Sequence, residues 1–428
     1  MDLLIAFAIT LVLITIVSIY YRVSPFFTLI GGAIIFGLLA GMTLDTTVKE
    51  IVSGAGKVFS SFGIIIFCGA VIAAFLQEQH QAEEIVSDIR HIVRSPPALA
   101  GFSGWFLSVP ITCCVTAYVM LVPILECIEQ DKKKKNILLY LAAVGSIVSY
   151  TLIFPTPAVI PLFTNFAAGT SALFYDAIAI PLSLAVLAII ILFFRWAGMP
   201  ESGDAITGMS GKMDQKLPVC KEEIPCIHWR AWGPFITILI AIPVSFFLLG
   251  LSHVGIMNVI MLAGAGAAIV LAPHNIRSKS VTSGAKHGGM IIFDICGAGA
   301  LGYVIVHSGF TEAALLQMTL FLPVILVPFV IAAILATAQG SRVTTAVIAA
   351  EVLAGSVVTG AIHPVPLILL VAAGSCIVSY VTDPFFWLVQ RTTGDSVNTV
   401  VKNYTLPIAL AGIVILVVAV ALEYLVFR

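Results

Sequence analysis

Charge is what this 428-residue chain has least of: only 10% of its residues are Asp, Glu, Lys or Arg, against roughly 25% in an ordinary soluble protein. So few charges cannot give a chain of this size a watery surface, which excludes a soluble enzyme or a nucleic-acid binder. With 60% hydrophobic residues and a mean hydropathy of +1.10, the composition is that of a polytopic membrane protein, its first partner the lipid bilayer. A basic n-region and a small-residue cleavage site are missing at the start, so residues 3–20 read as an uncleaved first span. Nor is there a disulfide framework: six of the eight cysteines lie in or beside apolar segments, where free Cys behaves as a small hydrophobe. Cys220, Cys226 and His228 lack a fourth ligand and the close Cys spacing of a zinc site. No HExxH, haem-type His pair or carboxylate cluster on one span is found. Neither an enzyme nor a bound metal or cofactor is therefore expected.

What is there is a succession of apolar runs at 3–20, 25–42, 58–76, 99–125, 137–175, 177–194, 233–252, 254–272, 288–306, 313–341, 364–382 and 403–422. About 20 residues cross a bilayer as helix. Residues 96–128 carry Pro110 and Pro123, and 137–175 is interrupted by Pro155, Pro157 and Pro161. Both are expected to be broken inside the membrane, which is tolerated only where backbone is buried in protein or lines a wet cavity. Arg90 and Arg94 precede 96–128, and Lys132 to Lys135 follow it. Cytoplasmic loops collect Lys and Arg, so a re-entrant hairpin with both ends inside fits better than a crossing. Continued along the chain, this scheme places Lys49, Lys57 and Arg428 outside and leaves Arg342 without a loop. Every other Lys and Arg then falls inside, and both termini are extracytoplasmic.

The two halves match at a shift of 228–230 residues: Cys68-Gly69-Ala70 with Cys296-Gly297-Ala298, Gly145-Ser146 with Gly374-Ser375, Val148-Ser149-Tyr150 with Val378-Ser379-Tyr380, and Pro155 with Pro384. Residues 1–199 and 230–428 read as repeats joined by a cytoplasmic linker, 200–229. With five crossings and one hairpin in each, the second copy is inserted upside down. The expected fold is thus all-α, two inverted-topology repeats with re-entrant hairpins and broken transmembrane helices, the architecture of secondary transporters. The hairpin centre at 108–113 then corresponds to 337–342, and the break near 154–157 to 382–384. Amides freed at such breaks suit an anion.

The motifs Ala338-Gln339-Gly340-Ser341 with Val343-Thr344-Thr345, and Ser379-Tyr-Val-Thr-Asp383-Pro-Phe-Phe-Trp387, with Gly297-Ala-Gly299-Ala and Phe154-Pro155-Thr156-Pro157 in support, resemble the gluconate:proton symporter family of the ion-transporter superfamily. The resemblance implies import, across the cytoplasmic membrane, of gluconate, a related sugar acid, a hydroxy acid or an amino acid, coupled to protons. A sodium-coupled carboxylate carrier or ion antiporter of the same superfamily is the alternative. Likeness to elevator-type carriers also implies a homodimer. Four positions depart from the family pattern: Arg342 replaces a small residue, Tyr380 and Thr382 replace His and Asn, and Ala158 replaces Gly.

Arg342 is the expected anion-binding residue, since its planar fork pairs with carboxylates; the alternatives are a pairing with Asp383 or Glu351 and a snorkelling side chain at a hairpin tip. Gln339, Ser341, Thr344, Thr345 and Ser379 from the second half, and Thr112, Thr116, Ser149, Tyr150 and Thr156 from the first, are the expected substrate-binding partners. Asp383 is the expected proton-coupling group and Asp294 its rival, because carboxylates at membrane depth are expensive and are kept for function. His287 is expected at the inner surface. The Gly297-x-Gly299-x-x-Gly302 pattern sits in an apolar span with no preceding strand, so it is read as helix packing rather than nucleotide binding.

Overall fold

In the computed structural model the residues described are 3–17, 20, 24–93, 95–129, 131–167, 169–196, 228–247, 253–380 and 382–427. Nearly all of the expected linker, with Cys220 and Cys226, lies outside them, as do Arg22, Arg94 and Arg428. The described chain is helical throughout, without strands. The first half holds α1 (Leu3–Ile16), α2 (Pro25–Leu39), α3 (Leu44–Glu78), α4 (Gln81–Ile92), α5 (Pro96–Ser108), α6 (Cys114–Ile128), α7 (Lys132–Leu152), α8 (Ile160–Phe166) and α9 (Ala172–Trp196). The second holds α10 (Trp229–Phe247), α11 (His253–Leu271), α12 (His274–His307), α13 (Phe310–Phe321), α14 (Val327–Gln339), α15 (Arg342–Leu353), α16 (Val357–Ala361), α17 (Pro364–Ile377), α18 (Pro384–Thr393), α19 (Val397–Val400) and α20 (Leu406–Leu425). Apart from the short α16 and α19, the order of long and short helices in the first half recurs in the second. Among the described residues five helices are long and apolar enough to cross a membrane, and shorter apolar helices accompany them.

The long members, α3 with 35 residues and α12 with 34, extend well beyond the apolar runs 58–76 and 288–306. A helix satisfies its own backbone hydrogen bonds, so it continues past the hydrocarbon boundary wherever a cap and charged pairs support it. Thr43 caps α3 by accepting from the Thr46 amide, and Lys49 pairs with Asp45 at 2.7 Å. Lys57 is therefore not in an outer loop but inside α3, where its ammonium meets Glu351 at 2.9 Å. This also removes Glu351 as a partner for Arg342.

Helices α3 and α12 pack against each other along their length. Gly54 lies against the Gly299 carbonyl, Gly284 against Ala70 and Val71, and Lys279 pairs with Glu78 at 2.7 Å. As the α3 number rises the α12 number falls, so the two helices run antiparallel. Gly297 and Gly302 likewise meet Phe26 and Ile348, so the glycine pattern serves helix packing, as read from the sequence.

The expected interruptions are present. Helix α5 ends at Ser108 and α6 starts at Cys114, while α14 ends at Gln339 and α15 starts at Arg342. Helix α7 stops at Leu152, before Pro155, and α17 stops at Ile377, before Pro384. Proline lacks the amide that would continue the ladder. After the linker the chain is fastened by Asp88 on α4, whose carboxylate accepts from the His228 amide and the Trp232 indole at 3.1 and 2.8 Å.

Candidate functional site

The second hairpin turns on Gly340, whose φ of +64° lies in the left-handed region that favours glycine. A Cβ there would collide with the Thr382 carbonyl, so the turn is pressed directly onto the break between α17 and α18. Thr382 adds a hydrogen bond from its hydroxyl to the Thr337 carbonyl, 2.9 Å. Ser341 caps α15 by accepting from the Thr344 amide at 3.3 Å, which places Arg342 at the first position of the helix.

Arg342 is only 8% exposed. Its Nη2 donates to the Ser379 hydroxyl, and Nη1 stands 3.4 Å from Asp383 Oδ2. Asp383 in turn caps α18, its Oδ1 accepting from the Phe385 amide at 2.9 Å, while Oδ2 accepts from the Tyr404 hydroxyl at 3.0 Å. The snorkelling alternative is thereby overturned, because the guanidinium is folded inward onto a carboxylate rather than out to an interface. Two buried polar atoms near the turn have no protein partner: Arg342 Nε and the hydroxyl of Thr345. Three residues apart on one helix, they share a face.

The first half builds the same turn with other side chains. Thr112 takes the left-handed conformation at φ +54°, and Cys113 caps α6 by accepting from the Thr116 amide at 3.5 Å. At the constant shift these are the counterparts of Gly340 and Ser341, and Cys114 is the counterpart of Arg342. Tyr118 on α6 meets Phe385 on α18 edge-on, ring centroids 5.3 Å apart, so the first hairpin reaches the helix that Asp383 caps.

Of the expected residues, the structure groups Ser341, Arg342, Ser379 and Asp383, with Thr344 and Thr345 on the same helix; Tyr150 is buried on α7. Four others have local duties. Ser149 bonds the Ser108 hydroxyl at 2.7 Å, joining α7 to the hairpin, and Thr156 donates to the Tyr150 and Ile153 carbonyls at 2.7 and 2.8 Å. Thr112 packs against Gly69, and Thr116 bonds His287 at 3.1 Å. His287 is half-buried, and this bond ties it to the first hairpin. The Gln339 side chain lies outside the described residues. Asp294 accepts from Ser24 and the Phe26 amide, both at 3.2 Å. It anchors the start of α2 and takes no part in the Arg342 network.

The sequence reading missed Tyr404, although a signal was available. Tyr175 stands 229 residues earlier, and its hydroxyl donates to the Leu152 carbonyl at the first break, 2.8 Å. Asp176, beside it, accepts from the Phe154 amide at 3.0 Å. Each break is therefore held by a tyrosine from further along the chain, Tyr175 on α9 and Tyr404 just before α20.

Interrupted apolar helices around a buried ion pair define a membrane transporter fold. Solved relatives in fold are an antimetabolite efflux pump, MtrF of Neisseria gonorrhoeae (13% identical, TM-score 0.62, covering 94% of this chain and 96% of that one), and the YdaH transporter of Alcanivorax borkumensis (13%, 0.58, 89% of each). The chain belongs to the GntP family of permeases, whose profile matches residues 1–426. It is similar to a high-affinity gluconate transporter of Escherichia coli K12, 25% identical over 444 residues, covering 94% of this chain and 95% of that protein. It is also similar to the Gnt-II system L-idonate transporter of the same organism, 23% identical with 94% of each covered, and to a Bacillus subtilis gluconate permease, 23% identical with 90% and 91% covered. The chain is accordingly a multi-pass membrane permease and not an enzyme.

Proposed function

We propose that this permease imports a small organic anion, a gluconate-like sugar acid, hydroxy acid or amino acid, by proton symport across the cytoplasmic membrane. The observation that carries the reading is the half-satisfied Arg342. One edge of its fork is occupied by Asp383 and Ser379, while Nε and the neighbouring Thr345 hydroxyl remain buried donors without protein acceptors. Leaving such donors unmade is costly, and a carboxylate satisfies both. Asp383 is the proton-coupling group: a substrate carboxylate that draws the guanidinium toward itself leaves Asp383 short of its counter-charge, and a proton replaces it.

The antiparallel packing of α3 on α12, equivalent elements in the two halves, supports an inverted duplication of 1–199 and 230–428 about a linker. With the Lys-rich loops facing the cytoplasm, both termini face outward. Gluconate and idonate carriers among the relatives support the anion class.

The test is uptake of labelled D-gluconate, D-glycerate and D-serine into proteoliposomes under an imposed pH gradient or an imposed sodium gradient. Accumulation driven by the pH gradient and lost in Arg342→Ala is expected. Accumulation that follows sodium and ignores the pH gradient would instead establish the sodium-coupled alternative.

A further inference from the structure

A cavity of about 290 Å³ lies between α3, α6 and α12, lined by Ala70, Ala73 and Gln77, by Thr116, and by Ser283 and His287 among others. That is close to the lower end of the ~300–1,000 Å³ typical of small-molecule sites. Ala70, Ala73 and Gln77 lie on one face of α3, and the alanines leave the room into which His287 and Thr116 project. Gln77, Ser283 and Val119 are exposed, Thr116 and His287 half-buried, and Ala70 and Ala73 buried, so the cavity runs inward from an open mouth to a floor of small apolar side chains. One residue beyond Gln77, Glu78 pairs with Lys279 at 2.7 Å, outside the cavity lining. The floor adjoins the first hairpin turn, where Thr112 packs on Gly69, next to Ala70. The cavity therefore lies against α6 directly after the first hairpin turn.

We infer that this cavity is a second solute station, between the Arg342–Asp383 site and the cytoplasmic face, where His287, Thr116, Gln77 and Ser283 hold the hydroxyls of a polyhydroxy acid in transit. The inference rests on the transport reading given above. The donor set is neutral, with hydroxyl, amide and imidazole groups that each donate and accept. It suits a hydroxylated chain and not a bare cation. The Thr116–His287 bond closes the floor: it joins the hairpin to α12, so a solute that takes over either partner opens the path toward Cys114. This gives the hairpin a reason to carry a threonine, other than its own capping.

Full-length Ser283→Cys in membrane vesicles is exposed to a membrane-impermeant maleimide, and modification at position 283 is read by mass spectrometry. D-gluconate and D-glycerate are the probes. Labelling is expected from the Lys-rich face and is expected to slow several-fold with D-gluconate, both with Arg342 intact and in an Arg342→Ala background. His287→Leu should abolish the protection, and His287→Gln, which keeps a hydrogen-bonding group, should retain it. In transport, His287→Leu should raise KM about fivefold, the equivalent of one hydrogen bond, with kcat little changed. Protection that vanishes in Arg342→Ala would show an effect relayed from the buried pair and overturn the second station. Unchanged protection in His287→Leu would overturn it too, as would no protection in protein that demonstrably carries D-gluconate. Failure to transport any acid is read separately, in the uptake assay, and is a failure of the transport reading itself.

Discussion

The Arg342 guanidinium and the Asp383 carboxylate meet at 3.4 Å with side chains only 7% and 3% exposed. One sits at the start of a hairpin helix and the other at the start of a broken-helix segment, so a single ion pair joins two interruptions that are 41 residues apart in sequence.

Breaking such a pair from one side leaves an uncompensated buried charge and costs about 3–5 kcal/mol. Asp383→Ala is expected to lower the unfolding midpoint in detergent strongly. The double variant Arg342→Met/Asp383→Leu should recover most of that loss while transport stays abolished. A double variant as unstable as Asp383→Ala would mean that the pair is not the dominant interaction of either residue.

Asp383→Asn mimics the protonated carboxyl. It should retain exchange of internal for external solute and lose accumulation driven by a pH gradient, both measured in proteoliposomes. Full pH-driven accumulation in this variant would exclude Asp383 as the coupling group and return attention to Asp294.

Tyr404→Phe removes a hydrogen bond to a buried carboxylate, a loss of about 1.5–3 kcal/mol for a charged acceptor, and is expected to shift the pH dependence of transport. Its counterpart Tyr175→Phe deletes a bond to a backbone carbonyl and should reduce stability while the pH profile stays in place. Identical pH profiles for Tyr404→Phe and the unaltered protein would limit Tyr404 to a packing role.

Gly340→Ala should eliminate transport, since the new methyl has no room beside the Thr382 carbonyl. Gly355 has a similar φ of +68° but open space around it, so Gly355→Ala should lose only the roughly 1–2 kcal/mol of the left-handed conformation and keep transport. Comparing the two by thermal unfolding and uptake separates backbone strain from the collision.

Cysteines introduced at positions 92 and 134 flank the first hairpin and are expected to label from the same side of the membrane. Labelling from opposite sides would make 96–128 a crossing segment and remove the inverted arrangement.

Much of this was legible in the sequence because its signals are local or periodic. Apolar run length gives spans, proline gives the breaks, and a constant shift relates motifs such as Cys68-Gly69-Ala70 and Cys296-Gly297-Ala298 in the two halves. Arg342 and Asp383 stood out because a charge within apolar sequence needs a partner. The partner itself was not legible. Glu351 lies nearer to Arg342 in sequence, and only the tertiary structure, in which α12 packs on both α3 and α15, shows that Lys57 occupies it. The helix starting at Leu44 was likewise hidden, since hydropathy reports where lipid is and not where a helix ends.

By itself the sequence determined a membrane-embedded helical permease with two matched halves and polar interruptions, because burial in lipid forces those patterns on composition. Only the tertiary structure decided which polar groups share a site. Tyr404 joined Asp383, Asp294 went to the start of α2, and Thr116 went to His287. These are contacts between elements tens to hundreds of residues apart, set by how helices pack side by side, and no one-dimensional spacing encodes them.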